Sequence, residues 1–426
     1  MNSTLQIAAE NALALMHSQG FEHAQASASV TLLDELNIAD NEVSLMRSTE
    51  AQKISLLGLV DGRKASTELS EFEPDALRGR IKSLFDDAMG APQDPANAVS
   101  ANQRARISQG PQQADLTLLA DKAAELLEFR VRETPLMGLR EAVASHSLVQ
   151  SHLLTSGGSD LQASVGSYWL SAFGTAREGT QSSSFNYAGG NSNDLRLFNA
   201  ADFFGIGDMM RATSGQIHTQ PLSAKFQGEV ILTPPAVQDL LSWFLGQLGD
   251  MQLIAGSSLY RDRVGMAIAS PLLTVMSRFD SPGSAALSAD AFVTPPLSVL
   301  RAGRLQTLTP SLYASRKTGL AHVPVAAGWE ILAGNATRTE MMASVKRGAL
   351  VGRLSMGSPA PNGDFSSVIK NSFLIEGGVM GSALSGVMIS GNMARMLHDV
   401  LAVSAERIDT GSVVLPWLRI SNLHFS

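Results

Sequence analysis

The sequence predicts an α+β fold, in which an N-terminal α/β region with an antiparallel sheet and helices precedes a C-terminal β-rich domain with a central amphipathic helix. Three observations predict it. Apolar residues recur at helical spacing from Leu5 to Met16. Strand-like runs then flank Asp61-Gly62, a strong local hairpin signal. Short apolar runs broken by Gly and Pro follow in the second half, around a helix that starts after Thr233.

In the first half of the chain, helix and strand patterns alternate. Gly20 is a stop signal for the first helix, and the next ten or so residues alternate between small or apolar and polar side chains, as a half-buried strand does. The predicted elements are a strand at 24–33, a hairpin at 53–60 and 64–69, helices at 73–89 and 115–130, strands within 141–197 with a turn at 156–159, and an exposed hairpin or flexible loop at 174–194.

The second half predicts a strand at 229–232 and then the central helix, whose apolar residues from Val237 to Leu248 lie at helical spacing. Further helices are expected at 339–347 and 393–400, and a hairpin turn at 375–378. The predicted division is an N-terminal α/β subdomain at 1–90, a linker at 91–114 rich in Pro, Gln, Asn, Ala and Ser, a central α+β segment at 115–215, and the C-terminal β-rich domain at 216–426.

Composition narrows the class of protein. The 426 residues carry a net charge of -7, and no Lys or Arg precedes Arg47, so contact with nucleic acid is disfavoured and a secretory signal is not expected. The absence of cysteine excludes disulfides, thiolate metal sites and a Cys nucleophile. No apolar run is long enough to span a bilayer, so we expect no membrane contact and a cytoplasmic location.

The common catalytic motifs are missing, including the nucleophile elbow, the phosphate loops and H-E-x-x-H. Two of the eight histidines, His146 and His152, share a strand, but about 20 Å separates them, too far for one metal ion. His218 and His322 are the remaining candidates because each lies near a predicted loop, although surface or structurally hydrogen-bonded histidines are far more common. His398-Asp399 lies on a predicted helix, where adjacent residues point to different faces.

One turn carries candidate binding groups. The segment Asn362-Gly363-Asp364-Phe365-Ser366 combines turn chemistry with a carboxylate and a hydroxyl. Asn362, Asp364 and Ser366 are the candidate substrate-binding residues. The same residues are equally typical of an Asx-type turn that enters a strand, which is the commoner use of this pattern.

Several segments, in the same order along the chain, resemble the TldD/TldE family, whose TldE type is also called PmbA. The turn at 362–366 is similar to the family's T-G-D-F-S, and 389–393 to its I-A-G-N segment. The resemblance implies paired subunits of a bacterial metalloprotease that trims modified peptides and degrades unfolded ones. The other matching segments are 57–63, 229–234, 338–352, 373–378 and 415–420.

The central helix separates the two types of subunit within this family. In the TldD type it carries H-E-x-x-x-H after two leucines. Here Leu240-Leu241 match the leucines, while Ser242, Trp243 and Gln247 occupy the three key positions. Zinc takes imidazole or carboxylate ligands, which these side chains do not supply. The resemblance therefore implies the TldE type, with no catalytic residue, metal site or cofactor in this chain, and with zinc in a TldD-like partner.

The implied partners are the TldD-like catalytic subunit and a peptide substrate, which could bind by strand addition along an edge. A homodimer of the isolated chain is the alternative assembly. Two departures from the family, at Asp290–Pro296 and at 315–319, indicate a divergent member, so the family's substrate contacts do not carry over directly to this chain. Two other functions remain open: a regulatory protein-binding role of the gyrase-modulator type, and a stand-alone hydrolase with a site assembled from Asp364, His218 or His322.

Overall fold

The structure, a computed structural model, describes residues 2–426. Two large β-sheets organise the chain, an eight-stranded N-terminal sheet and a fourteen-stranded C-terminal sheet, and each carries its own helices. The predicted α+β fold class, with an antiparallel N-terminal sheet and a β-rich C-terminal domain, is confirmed. Within residues 2–426, no helix is long and apolar enough to cross a membrane.

The N-terminal part begins and ends with a helix. Two short 3-10 turns, Leu195–Leu197 and Ala200–Asp202, precede the last one. Its elements are α1 Asn2–Gln19, β1 His23–Ala39, β2 Glu42–Val60, β3 Arg63–Leu69, α2 Pro74–Gly90, β4 Arg104–Gln109, α3 Leu116–Glu133, β5 Met137–Thr155, β6 Asp160–Glu178, β7 Gln181–Ser182, β8 Asn186–Ser192 and α4 Ile206–Ser214.

The N-terminal sheet has the order β3-β2-β1-β5-β6-β4, and β8 joins the same edge of β6 beyond β4. The β2–β3 turn is the predicted hairpin, and both Asp61 (φ 48°) and Gly62 (φ 69°) have the positive φ angles that such two-residue turns require. Asp40 and Asn41 form the β1–β2 turn with the same backbone geometry. Residues 91–114, expected as a linker, contribute β4 to this sheet, because six of them pair in parallel with β6.

Only one face of this sheet is covered by helices. The core under α1 and α2 takes Ala26 and Ala28 of β1, and the core under α3 and α4 takes Leu36 and Ile38 of the same strand. Successive side chains of a strand point to opposite faces, and all four residues occupy even-numbered positions of β1. Their side chains therefore point to the same face. The helices therefore pack on one face of the sheet. The opposite face, to which the alternate side chains point, is called the open face.

The C-terminal part is built around a long final strand that pairs with several others. Its elements are β9 Thr219–Gln220, β10 Phe226–Leu232, α5 Pro234–Leu248, α6 Asp250–Ile254, β11 Val275–Arg278, β12 Ser298–Arg301, β13 Arg304–Leu305, α7 Leu312–Thr318, β14 Gly328–Ile331, α8 Arg338–Ala343, β15 Arg347–Val351, β16 Arg353–Ser355, β17 Asp364–Lys370, β18 Phe373–Glu376, β19 Val379–Leu384, β20 Met388–Asn392, α9 Met393–His398, β21 Val400–Asp409 and β22 Val413–Phe425.

The central helix α5 is the core element of this part. Its apolar side chains join β10, β15 and β22 in the largest hydrophobic cluster, and Phe244 is among the largest fully buried side chains. The helix predicted at 339–347 is shorter, since α8 ends at Ala343. Arg347 already begins β15, where Gly348 pairs with Glu229 of β10. Parallel pairing of β15 with β10 places Arg347 in a strand, although the local apolar pattern favours a helix there.

Candidate functional site

The helix α5 divides into a buried face and a polar stripe. Its double proline start follows Thr233, whose hydroxyl donates to the carbonyl of Gly352 at 2.9 Å and fixes the helix to the strand beside it. The stripe consists of residues spaced three and four apart, which share one side of a helix. Its members are Pro235, Gln238, Asp239 and Ser242, and all four line a cleft.

The three key positions of α5 differ in surroundings. Ser242 is exposed toward the cleft. Trp243 is partly buried and packs edge-on against Tyr260, with ring centroids 6.3 Å apart. Gln247 is only 4% exposed, and its Oε1 accepts a hydrogen bond of 3.0 Å from the backbone N–H of Leu259. The helix therefore uses two of these positions for packing and hydrogen bonding.

The turn at 362–366 lies beside α5. A Cβ on Gly363 would stand 3.2 Å from Cζ2 of Trp243, and Gly363 has a φ of 89°. The backbone N–H of Asp364 donates to Oδ1 of Asn362 at 3.1 Å, which makes this an Asx-type turn entering β17. Ser366 is exposed on β17, opposite Ser390 of β20. The role of these residues in substrate contact stays a prediction.

The carboxylate of Asp364 is held inside the turn. Asn392 donates to it at 2.8 Å and Asn362 at 2.7 Å. These two hydrogen bonds, that of Asn392 first, lower the pKa of Asp364 below its ordinary value. In the described part of the chain, none of Asn362, Asp364 and Ser366 lines the cleft.

The candidate histidines lie in separate networks. His218 faces Glu178 at 2.8 Å, and His322 faces Asp290 at 2.9 Å. His146 and His152 are both 2% exposed, and their Nε2 atoms contact the carbonyl of Pro111 and the carboxylate of Asp160. The structure does not bring any of them together with Asp364. Among residues 2–426, no group of three His, Asp or Glu side chains is placed to hold a metal ion.

The cleft lies between the polar stripe of α5 and the open face of the N-terminal sheet, and its volume is about 640 Å³. Cross-strand register places its sheet residues in rows. Glu141 of β5 is opposite Phe173 of β6, which is opposite Tyr187 of β8. Trp169 lies four residues before Phe173, on the same face. The wall of the cleft is thus aromatic, with a carboxylate at the end of one row.

Two charged side chains approach this wall from the C-terminal part. Asp239 is half-buried, and burial raises its pKa to about 6 despite the opposing effects of the backbone N–H of Leu354 and of the Arg353 guanidinium. The guanidinium of Arg353 lies over the rings of Phe185 and Tyr187, 4.8 and 5.1 Å from their centroids. The aromatic pair fixes its orientation.

The strand β8 has an outer edge that partly faces the cleft. The backbone N–H of Asn191 donates to the carbonyl of Thr410 at 3.0 Å and so points away from β6. Residues two apart on a strand point the same way, hence the N–H and carbonyl of Gly189 also face outward, into the cleft that it lines. Among residues 2–426, β8 pairs with β6 alone. The part of this edge at Gly189 therefore faces the cleft, while Asn191 is bonded to Thr410.

Sequence reasoning missed the cleft residues Trp169, Phe173, Tyr187, Asp239 and Arg353. A signal for two of them was present. Trp169 and Phe173 alternate with Tyr168, Leu170 and Ala172, which face the helix-covered core, so large aromatic side chains occur on the opposite face of β6. The rest depends on the contact between strands and α5, which no local pattern indicates.

Comparison with known proteins bears on both halves of the chain. The family described as PmbA/TldA metallopeptidase C-terminal domain matches residues 226–426. No curated protein matches the chain in sequence. Among solved structures, TldE from Thermococcus kodakarensis is similar, with a TM-score of 0.82 and 18% identity over 98% of this chain and 100% of that one.

Two further structures are similar along their whole length. A proposed modulator of DNA gyrase from Bacteroides thetaiotaomicron has a TM-score of 0.87 and 18% identity, over 99% of this chain and 98% of that one. Another from Thermotoga maritima has a TM-score of 0.78 and 15% identity, over 99% and 100%. At these identities the likeness shows the fold. The C-terminal domain, residues 226–426, belongs to the PmbA/TldA metallopeptidase family, and the whole chain has the fold of TldE.

Proposed function

We propose that the chain is a TldE/PmbA-like subunit of a TldD/TldE-type metalloprotease, acting in the cytoplasm in peptide maturation and degradation. A TldD-like partner supplies the zinc ion and the groups that activate water, and this chain contributes binding surface for the peptide. The proposal rests on one observation: Ser242, Trp243 and Gln247 occupy the key positions of α5, and two of them serve packing and hydrogen bonding.

Chemistry at these positions supports a non-catalytic role. Zinc sites in proteins use Cys, His, Asp or Glu ligands, and a catalytic site adds a general base. Ser242 is a poor ligand, and Trp243 has no lone pair to offer. The side-chain oxygen of Gln247 is already engaged with Leu259 inside the core. This arrangement favours a structural helix over a catalytic one.

The open face of the N-terminal sheet supports the peptide-binding part of the proposal. An extended peptide could pair with the outward N–H and carbonyl of Gly189 on β8, which is the usual form of strand addition. Its side chains would then meet the aromatic wall on one side and the stripe of α5 on the other. The predicted contacts at Asn362, Asp364 and Ser366 would lie outside this cleft.

The test mixes the purified chain with a TldD-like protein and follows cleavage of an unfolded peptide. We expect a complex in size-exclusion chromatography and peptidase activity that needs both proteins, is lost with a chelator and returns with zinc. Serum albumin in place of the chain is the control. Absence of a complex together with no gain in activity would refute the proposal, as would stoichiometric zinc in the isolated chain.

The regulatory alternative has one supporting observation, since two similar structures are of proposed gyrase modulators. Affinity capture from a lysate that recovers gyrase and no TldD-like protein would favour it. The stand-alone hydrolase lacks such support, because Asp364, His218 and His322 lie in different hydrogen-bond networks. Peptidase activity of the pure chain that survives a chelator and is lost in Asp364→Ala would favour that function instead.

A further inference from the structure

A slot crosses the open face of the N-terminal sheet within the cleft. Its floor consists of small residues, Ser171 of β6 opposite Gly189 of β8. A Cβ on Gly189 would stand only 2.6 Å from Cβ of Ser171, so any larger side chain there would disturb the floor. Trp169 and Phe173 flank Ser171 at two residues on either side, which places their Cα atoms about 14 Å apart. The slot therefore has aromatic walls and a low floor.

The aromatic walls are unusually accessible for side chains of this size. Trp169 is 39% exposed, Phe173 37% and Tyr187 56%. All three line the same concave surface, where an exposed apolar patch marks a binding site. Aromatic faces attract both methylene groups and cations, so they favour a ligand that has an apolar stem and a positive end.

The charges around the slot favour the same kind of ligand. Glu141 is at the end of the Phe173–Tyr187 row, and Asp239 approaches from α5. Neither carboxylate forms an ion pair within residues 2–426, which leaves both available to a cation. The one basic side chain that lines the described cleft is Arg353, held over Tyr187 and Phe185. Two carboxylates against one guanidinium give the slot a net negative charge.

We propose that this slot binds a Lys or Arg side chain of the extended peptide, with its methylenes between the aromatic walls and its charge near Glu141 and Asp239. The proposal rests on the proposed function only in taking the ligand to be a peptide. It assigns this chain a part in substrate selection that does not depend on the partner's chemistry. A cation beside Asp239 would also offset the cost of burying that carboxylate.

The test measures binding by the isolated chain, so that it does not depend on a TldD-like partner. Short fluorescent peptides of Ser, Thr and Val carry one central Lys, Arg, Met or Glu, and fluorescence anisotropy gives their dissociation constants. We expect the Lys and Arg peptides to bind about tenfold more tightly than the Met peptide, whose central side chain is unbranched and uncharged. The Glu peptide should bind most weakly.

Variants then identify which side chains cause the preference for Lys and Arg peptides. Glu141→Gln combined with Asp239→Asn should bring the Lys-to-Met ratio close to one and leave the Met peptide unaffected. Arg353→Gln should raise the ratio, because it removes a competing positive charge. Glu71→Gln, which changes an exposed carboxylate outside the cleft, should leave the ratio unchanged.

Three outcomes would overturn the proposal: equal affinity for all four peptides, no binding of any peptide, or selectivity that persists in the double variant. Circular dichroism of each variant checks that it is folded. If the chain fails to activate a TldD-like protein but still prefers Lys and Arg peptides, the proposed function fails and this inference stands.

Discussion

The side-chain oxygen of Gln247 accepts a hydrogen bond from the backbone N–H of Leu259, 3.0 Å away, in the interior of the C-terminal domain. This bond attaches the segment after α6 to the end of α5. The hydroxyl of Ser258 reinforces the attachment by donating to the carbonyl of Gln247 at 2.6 Å. The glutamine therefore stabilises the domain.

Replacement of this glutamine should be costly. Gln247→Leu leaves the N–H of Leu259 without its partner in the interior, which costs about 1–3 kcal/mol of the free energy of unfolding. Ser242→Ala on the exposed side of the same helix should change it by less than about 0.5 kcal/mol. Urea denaturation measures both. Equal midpoints for the two variants would contradict the structural role of Gln247.

Gly363→Ala should also destabilise the protein. Its φ of 89° is in the region that favours glycine, and the added Cβ would stand 3.2 Å from Trp243. We expect a loss of about 1–3 kcal/mol. Gly357→Ala is the matched control, because no atom lies within 4 Å of the Cβ it adds. Thermal denaturation that shows no difference between the two would mean that the turn adjusts freely.

Asp239 should make stability depend on pH. Its folded-state pKa of about 6 lies above the ordinary 3.8, so the folded protein holds this proton more tightly than the unfolded chain does. The free energy of unfolding should therefore fall as pH rises from about 4 to about 6, with a screened contribution of about 1–2 kcal/mol. Denaturation of Asp239→Asn across this range should lack that fall. Parallel pH profiles for variant and wild type would exclude it.

Asp94 links the N-terminal part to α7. Lys317 donates to its carboxylate at 2.8 Å and the hydroxyl of Tyr313 at 2.7 Å. The hydrogen bond from Lys317, with those from the Ala96 N–H and Tyr313, lowers the pKa of Asp94 to about 2. Because this is below the ordinary 3.8, the contact is at full strength above about pH 4 and is lost toward pH 2.

Asp94→Asn should therefore loosen α7 at neutral pH. Hydrogen exchange followed by mass spectrometry should show faster exchange in Leu312–Thr318 than in the wild type, and the difference should vanish as the pH approaches about 2. Asp75→Asn is the control, because this carboxylate is exposed and pairs only with Arg78 on its own helix. Unchanged exchange in α7 would show that the contact of Asp94 with Lys317 and Tyr313 does not stabilise this helix.

Local patterns were enough to predict part of the molecule. The apolar spacing of α5 and the Asp61-Gly62 turn are properties of short segments, and both are confirmed. The segment 174–194 was expected to be an exposed hairpin or a flexible loop because it is dense in Ser, Gly and Asn. It forms β7 and β8, and Gly189 and Gly190 allow close contacts that larger residues would prevent.

The candidate site was harder to predict, for a physical reason. Phe173 and Tyr187 lie opposite each other through β6–β8 pairing, and Asp239 reaches this wall only when α5 packs beside the sheet. Such contacts join residues that are far apart in the chain, so they produce no periodic pattern in the sequence. The family resemblance predicts key positions at Ser242 and Gln247, and of these Ser242 lines the cleft.

The interior position of Gln247 has a consequence for how this helix can change. A histidine there that gave its lone pair to a metal ion would leave the N–H of Leu259 without an acceptor, and a smaller group in place of Trp243 would leave a void beside Tyr260. Either change would lower the free energy of unfolding. The packing of α5 therefore opposes the gain of metal ligands at these positions.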